Sequence, residues 1–480
     1  MEVTTLGYVM IPITLCLMVA PRHWLLGWVV LLSTFWAGAV IIIYRGGEPF
    51  GLQPGYFAGC MFLVREAFAI LLRGKIAFSR SVTTATLILA AFTVYAIVTS
   101  WAVPNIMRGD VLVLPPRVGL GLDALAPLEP LGTNTTQAMY VLFILLFFIA
   151  VANFAATQNV IQSFSRFYLI SGAVVVGVGF LQFLSQRFGT PFPYELIFSN
   201  RGIQSDFRVW AEWTSGRVTS VFPEASMLAY WLSGLLAFVA TQFVLVRADW
   251  FRLALFIAAF VAFLMTTSTT AYAMIGIFIV LIGIHTFTRM SKGEGTLTEP
   301  VMTLLAVGGA LGVLGVVVMA VSGQFGDLLD VLRDATVGKV QTVSFEDRSD
   351  SELQSLKLIV ETWGMGAGWG SHRSSSLLLS FVANAGVVGT AIMLIFAAKA
   401  YRLYRQAVEA TRNSPVLRGH LRSVAYSVLA MVLAACISVP DFAVISFWVN
   451  VSILIGVSAR VVDASRAKVP ESDMALQPAR

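Results

Sequence analysis

Apolar residues follow one another in blocks of about 17–25, the length that crosses a bilayer as a helix, and polar residues collect between the blocks. The blocks fall near 6–20, 24–43, 56–72, 83–103, 137–158, 167–185, 225–246, 253–267, 270–287, 301–322, 376–400, 422–438 and 442–460. They predict an all-α, polytopic membrane domain over 1–460 with about 12–14 transmembrane helices, followed by a polar, disordered tail over 461–480. Longer polar connections interrupt the blocks at 104–136, 186–224 and 323–375. Within the last of these, Ser351-x-x-Gln354 has the form of a capping box, and Leu353, Leu356, Val360 and Trp363 recur at helical spacing. That spacing predicts a short amphipathic helix on the outer membrane surface, ended by the glycines of 364–370.

Composition supports the membrane class, with 57% hydrophobic and 12% charged residues and a mean hydropathy of +0.81. The net charge of +6 then bears on topology and does not point to nucleic acid, because basic residues mark cytoplasmic loops. Segment 399–422 carries six Lys/Arg against one Glu, and the connections 73–80, 247–252 and 289–292 are basic too. These are expected inside, which places the three long loops outside, the C-terminus inside, and the N-terminus outside if Leu6–Ala20 spans. A re-entrant first segment would bring the N-terminus in. The first helix lacks a basic start and a small-residue cleavage site, so it is expected to stay. Cys16, Cys60 and Cys436 sit inside apolar blocks at spacings that suggest neither disulfide nor metal.

Charge inside an apolar block is costly, so Arg65 and Glu66 are expected to face protein, as a structural ion pair or in a functional role. Loop 104–136, rich in Pro and Gly, reads as a surface cover or lid. Thr266–Thr270 would cap helices or line a polar cavity. Loop 186–224 interleaves arginines and acids and ends at Pro223-Glu224, where Glu224 suits either a helix start or a site at the membrane boundary. Arg217, Arg348 and Arg373 could converge on a diphosphate through charge-assisted hydrogen bonds. Glu224 or His372 could take a proton from an attacking hydroxyl, although a surface histidine is also commonplace.

Three segments carry a resemblance: R-x-x-S-x-F-x-E-A-S from Arg217, D-R-S-D at Asp347, and W-G-x-G-x-G-W-G-S-H-R-S-S-S from Trp363 with N-A-G-V-V-G from Asn384. With the layout of spans and large loops, they resemble the O-antigen polymerase and ligase superfamily, in particular the Wzy-type exopolysaccharide and O-antigen polymerases. The resemblance implies a metal-independent, inverting, GT-C-like glycosyltransferase of the bacterial inner membrane, without cofactor, with two large periplasmic loops. Its substrate would be an undecaprenyl-diphosphate-linked oligosaccharide repeat unit, and its partners a flippase upstream and a chain-length regulator. The family's loop arginines carry onto Arg217 and Arg348, with Arg373 a further candidate, and its ligases' histidine onto His372, here in G-S-H-R where ligases have His-Asn. A ligase acting on lipid A core or protein is the first alternative. A transporter, which would favour inverted repeats and broken helices, is the second.

Overall fold

A computed structural model describes residues 1–45, 48–73, 79–116, 125–201, 217–291, 343–439 and 441–467. The chain is a mostly helical, multi-pass membrane protein with eight long apolar helices among these residues. They are α3 (Pro54–Arg73), α4 (Arg80–Ile106), α5 (Gly132–Thr157), α6 (Ile161–Phe188), α8 (Ala225–Leu245), α12 (Leu377–Ala410), α13 (Pro415–Ser438) and α14 (Ile445–Arg466). Shorter helices are α1 (Thr5–Val19), α2 (Arg22–Leu32), α7 (Tyr194–Ile197), α9 (Trp250–Met265), α10 (Thr269–Ser291) and α11 (Val343–Glu361). The block at 301–322 lies outside the described residues.

The apolar windows of α14 and α8 are 89% and 78% buried, against 22% for α3, so α8 and α14 form the centre of the bundle. Close packing there depends on small residues, as is usual between membrane helices. A Cβ on Gly456 would lie 2.3 Å from the Ala152 carbonyl oxygen, which fixes α14 against α5.

The second predicted span is corrected. The block 24–43 forms only the 11-residue α2, and the chain then turns into β2 (Ile41–Arg45), which pairs antiparallel with β1 (Glu2–Val3) and β3 (Glu48–Leu52). Pro21 ends α1, because the residue before a proline disfavours helix. At about 1.5 Å per residue, α1 and α2 are about 22 and 16 Å long, short of the roughly 30 Å hydrocarbon core. β1–β2 pairing ties the start of α1 to the chain leaving α2, so the two helices form a hairpin that enters from one face and returns to it. Arg201 meets Glu2 at 3.2 Å on that face, which is the face of the long loops. The N-terminus is therefore on the loop face, opposite the basic connections.

Arg65 and Glu66 brace this hairpin. Arg65 donates to the carbonyls of Leu17 and Ala20 at the end of α1, where a cation complements the helix dipole. Glu66 pairs with Arg22 at 3.4 Å. Two further boundaries differ from expectation. α14 continues to Arg466, past the predicted start of the tail at 461, and 468–480 lie outside the described residues. α11 already runs from Val343, so Ser351 and Gln354 sit inside the helix and do not form its cap.

Candidate functional site

The amphipathicity of α11 is turned outward. Leu353, Leu356, Val360 and Trp363 are exposed, while Ser351, Gln354, Ser355 and Thr362 are buried. An apolar face without protein cover suits a helix lying at the membrane boundary, and the hydroxyl and amide side chains face the protein. Gln354 Nε2 donates to the Leu112 carbonyl at 2.7 Å, and Ser351 Oγ meets Ser375 Oγ at 2.7 Å.

After α11 the glycine run dips into the bundle. Gly364, Gly366, Gly368 and Gly370 all have positive φ, a region that suits glycine. A Cβ on Gly368 would lie 2.5 Å from the Thr99 carbonyl oxygen of α4. Facing the loop, α12 is broken at Gly386 (φ 63°, ψ −167°). The carbonyls freed there are used: Ala367 N–H donates to the Ala383 oxygen and Gly368 N–H to that of Asn384. Asn384 then holds the next turn. Its Oδ1 accepts from the N–H groups of Ser371 and His372, and its Nδ2 donates to the carbonyls of His372 and Ser380, all at 2.9–3.1 Å. Asn134 Nδ2, at the start of α5, donates to the Trp369 carbonyl and Ser371 Oγ. The Trp369 ring packs edge-on or tilted against Phe92, Phe381 and Phe442.

His372, at the tip of this loop, is 3% exposed. Leu114 N–H donates to its Nδ1 at 3.2 Å, so the ring proton is on Nε2, which donates to Ser355 Oγ at 2.9 Å; Ser355 in turn donates to the Ser351 carbonyl. Burial, reinforced by the charge of Arg373, lowers its pKa to about 4. In this state both ring nitrogens are engaged and His372 pins loop 104–136, α11 and the glycine loop together. Arg373 N–H adds a bond to the Leu114 carbonyl at 2.7 Å. Among the described residues of loop 104–136, Leu114 covers His372, next to the short ladder of β4 (Leu112–Val113) with β5 (Ala126–Pro127).

Arg373 and His372 line a cavity of about 170 Å³, together with Gln137, Trp369, Ser374 and Asp441. Asp441 lies in the short connection between α13 and α14 and also lines a smaller cleft beside Trp36 and Gln53. The residue is exposed where it opens into these cavities, and the protein packed around them desolvates the carboxylate and raises its pKa, opposed by the Ala443 N–H donated to Oδ1 at 2.8 Å. Oδ2 has no hydrogen-bond partner among the described residues. Two further polar atoms of the cavity's residues, Trp369 Nε1 and Ser374 Oγ, are buried without a hydrogen-bond partner among the described residues.

Arg217 and Glu224 sit on the segment that leads into α8. Arg217 Nε donates to the Thr266 carbonyl at 3.2 Å. Gln182 Oε1 accepts from Thr219 and Ser220 N–H, holding Ser220 at φ 55°, a conformation uncommon outside glycine. Glu224 precedes α8 as its N-cap residue, yet its carboxylate makes no capping bond; it is exposed and accepts from Ser226 Oγ at 3.0 Å. The hydroxyl cluster behaves largely as caps, with Ser268 and Thr270 N–H donating to the Oγ atoms two residues earlier. Thr270 also bonds Ser438, at the end of α13.

The fold therefore brings His372, Arg373 and Asp441 to one cavity, while Arg217 and Glu224 stand on the segment leading into α8 and do not line it. Arg348 falls in α11, one turn before Ser351, and its side chain lies outside the described residues. Asp441 escaped the sequence reading, although it is the only charged residue between Arg422 and Arg460. No family model matches the chain, and no curated protein is significantly similar to it.

Proposed function

We propose that the protein is a GT-C-like polymerase of undecaprenyl-diphosphate-linked oligosaccharide repeat units, working at the periplasmic face of the bacterial inner membrane. The observation that carries the reading is the cavity on the loop face that Arg373, His372 and Asp441 line together. A cation there suits a diphosphate, and a carboxyl whose pKa is raised above its ordinary value suits proton transfer. The two orphaned polar atoms of Trp369 and Ser374 are consistent with a polar guest.

In the proposed reaction a hydroxyl of one lipid-linked unit attacks the anomeric carbon of another. A carboxylate, Asp441 or Glu224, takes the hydroxyl proton as the new C–O bond forms. The bond between the anomeric carbon and the phosphate oxygen breaks on the opposite face, which inverts the centre, and the electron pair leaves on the lipid diphosphate. Arg373, with Arg217 and Arg348, stabilises the charge gathered on that leaving group. His372, in its described hydrogen bonding, serves to position the loop.

The test is the size of lipid-linked glycan in cells lacking the protein and complemented with wild type, Arg373→Ala, Asp441→Asn or Glu224→Gln. Removing one such electrostatic donor costs roughly 3–4 kcal/mol of transition-state stabilisation, so Arg373→Ala is expected to leave single repeat units despite normal expression. One of the two carboxylate variants is expected to do the same. Full-length polymer retained on its carrier in the deletion strain would identify a ligase instead, and an unaltered glycan would reject both.

A further inference from the structure

On the face opposite the cavity, a small pocket of about 30 Å³ opens beside the α5–α6 turn, walled by Leu417, Val457 and Val461 and carrying Gln158, Asn159 and Arg460 as its polar groups. Arg460 stands six residues before the end of α14, about 9 Å along the helix axis. The side chain is half-buried, and no described residue gives it an ion pair or a hydrogen bond. Asp463, one turn further on, is engaged by the hydroxyls of Ser79 and Ser81 at 2.6 and 3.0 Å. A guanidinium held against aliphatic walls without a counter-charge is costly, and the neighbouring amides add donors suited to the same anion.

We infer that this pocket binds a phosphate group, with Arg460 as its charged partner and Gln158 and Asn159 as neutral donors. Guanidinium matches phosphate oxygens in shape and charge. The position, within a turn or two of the helix ends on the basic face, is that of lipid headgroups, and the leucine and valine walls suit the start of an acyl chain. The phosphate is therefore that of an anionic phospholipid in the leaflet facing the basic loops, where cationic side chains select such lipids.

The purified full chain, reconstituted in phosphatidylcholine nanodiscs with or without phosphatidylglycerol, tests this by native mass spectrometry of retained lipid and by thermal midpoint. Wild type is expected to retain phosphatidylglycerol and to melt higher in its presence. Arg460→Gln should weaken retention about tenfold, the size of one charge-assisted hydrogen bond, and Arg460→Lys should recover part of it. Arg405→Gln, an exposed change on the same face, should leave retention unchanged. If Arg460→Gln does not fold, the double variant Gln158→Ala/Asn159→Ala should show a smaller loss. Equal retention in wild type and in whichever pocket variant folds overturns the site. A midpoint raised by inorganic phosphate alone, in wild type and not in Arg460→Gln, keeps the phosphate site and rejects the lipid as its source.

Discussion

His372 shows how a single side chain can look catalytic in sequence and act as a fastener in the fold. Its imidazole accepts from one backbone amide and donates to one serine, a pairing that glutamine can imitate. His372→Gln is therefore expected to keep polymer within about threefold of wild type, whereas removal of a general base costs 100-fold or more; loss of that size would restore the histidine as base. Its pKa of about 4 also sets a sign for acid. The folded value lies below the unfolded value of about 6.5, so the stabilisation is complete above pH 6.5 and is lost as pH falls toward 4. The difference amounts to roughly 3 kcal/mol. Melting wild type and His372→Gln side by side between about pH 7 and pH 4.5 should show wild type losing the greater stability; a wild type that gains on acidification contradicts the assignment.

The elements divide by what periodicity can reveal. Long apolar blocks became helices because backbone groups in lipid must be satisfied internally, and Leu353, Leu356 and Val360 marked a helical face correctly, whereas Trp363 falls in the turn after α11 with φ 54°. The block at 24–43 did not become one helix, because the chain turns after α2 and its last residues, Ile41–Ile43, pair with β1 and β3, a tertiary choice that hydropathy does not record. The break in α12 was equally hidden: Gly386 in a small-residue run reads as a packing contact, and only the docked glycine loop explains its backbone. Gly386→Ala tests that element. An alanine there has a conformation reserved in practice for glycine, costing about 1–3 kcal/mol, and its Cβ would lie 2.3 Å from the Gly364 carbonyl oxygen. Helical content by circular dichroism should be kept while the thermal midpoint and the polymer both fall. A variant with both intact would mean that the loop and α12 are not locked together.

At the scale of the whole molecule, the hairpin of α1 and α2 fixes the N-terminus to the loop face. In a chain whose native Cys16, Cys60 and Cys436 are replaced, cysteines at Glu2 and Arg201 should react with an impermeant maleimide added from the same side, and a cysteine at Arg412 only from the other. Labelling of Glu2 and Arg412 from one side would contradict the hairpin. The candidate site was legible in part: its arginines, Glu224 and the glycine loop stand out as polar islands, whereas Asp441 gains meaning only when the last two helices carry it to Trp369 and Arg373. That arrangement has a consequence for biogenesis. The aromatic seat of the glycine loop joins Phe92, from the first quarter of the chain, to Phe442, near its end. Insertion can begin with the first helices, but the seat cannot close until synthesis is nearly complete. A nascent chain must carry an unseated, polar-faced α11 from its end at Glu361 until Phe442 is made, and a ribosome that stops before residue 442 releases a protein whose glycine loop lacks that part of its seat.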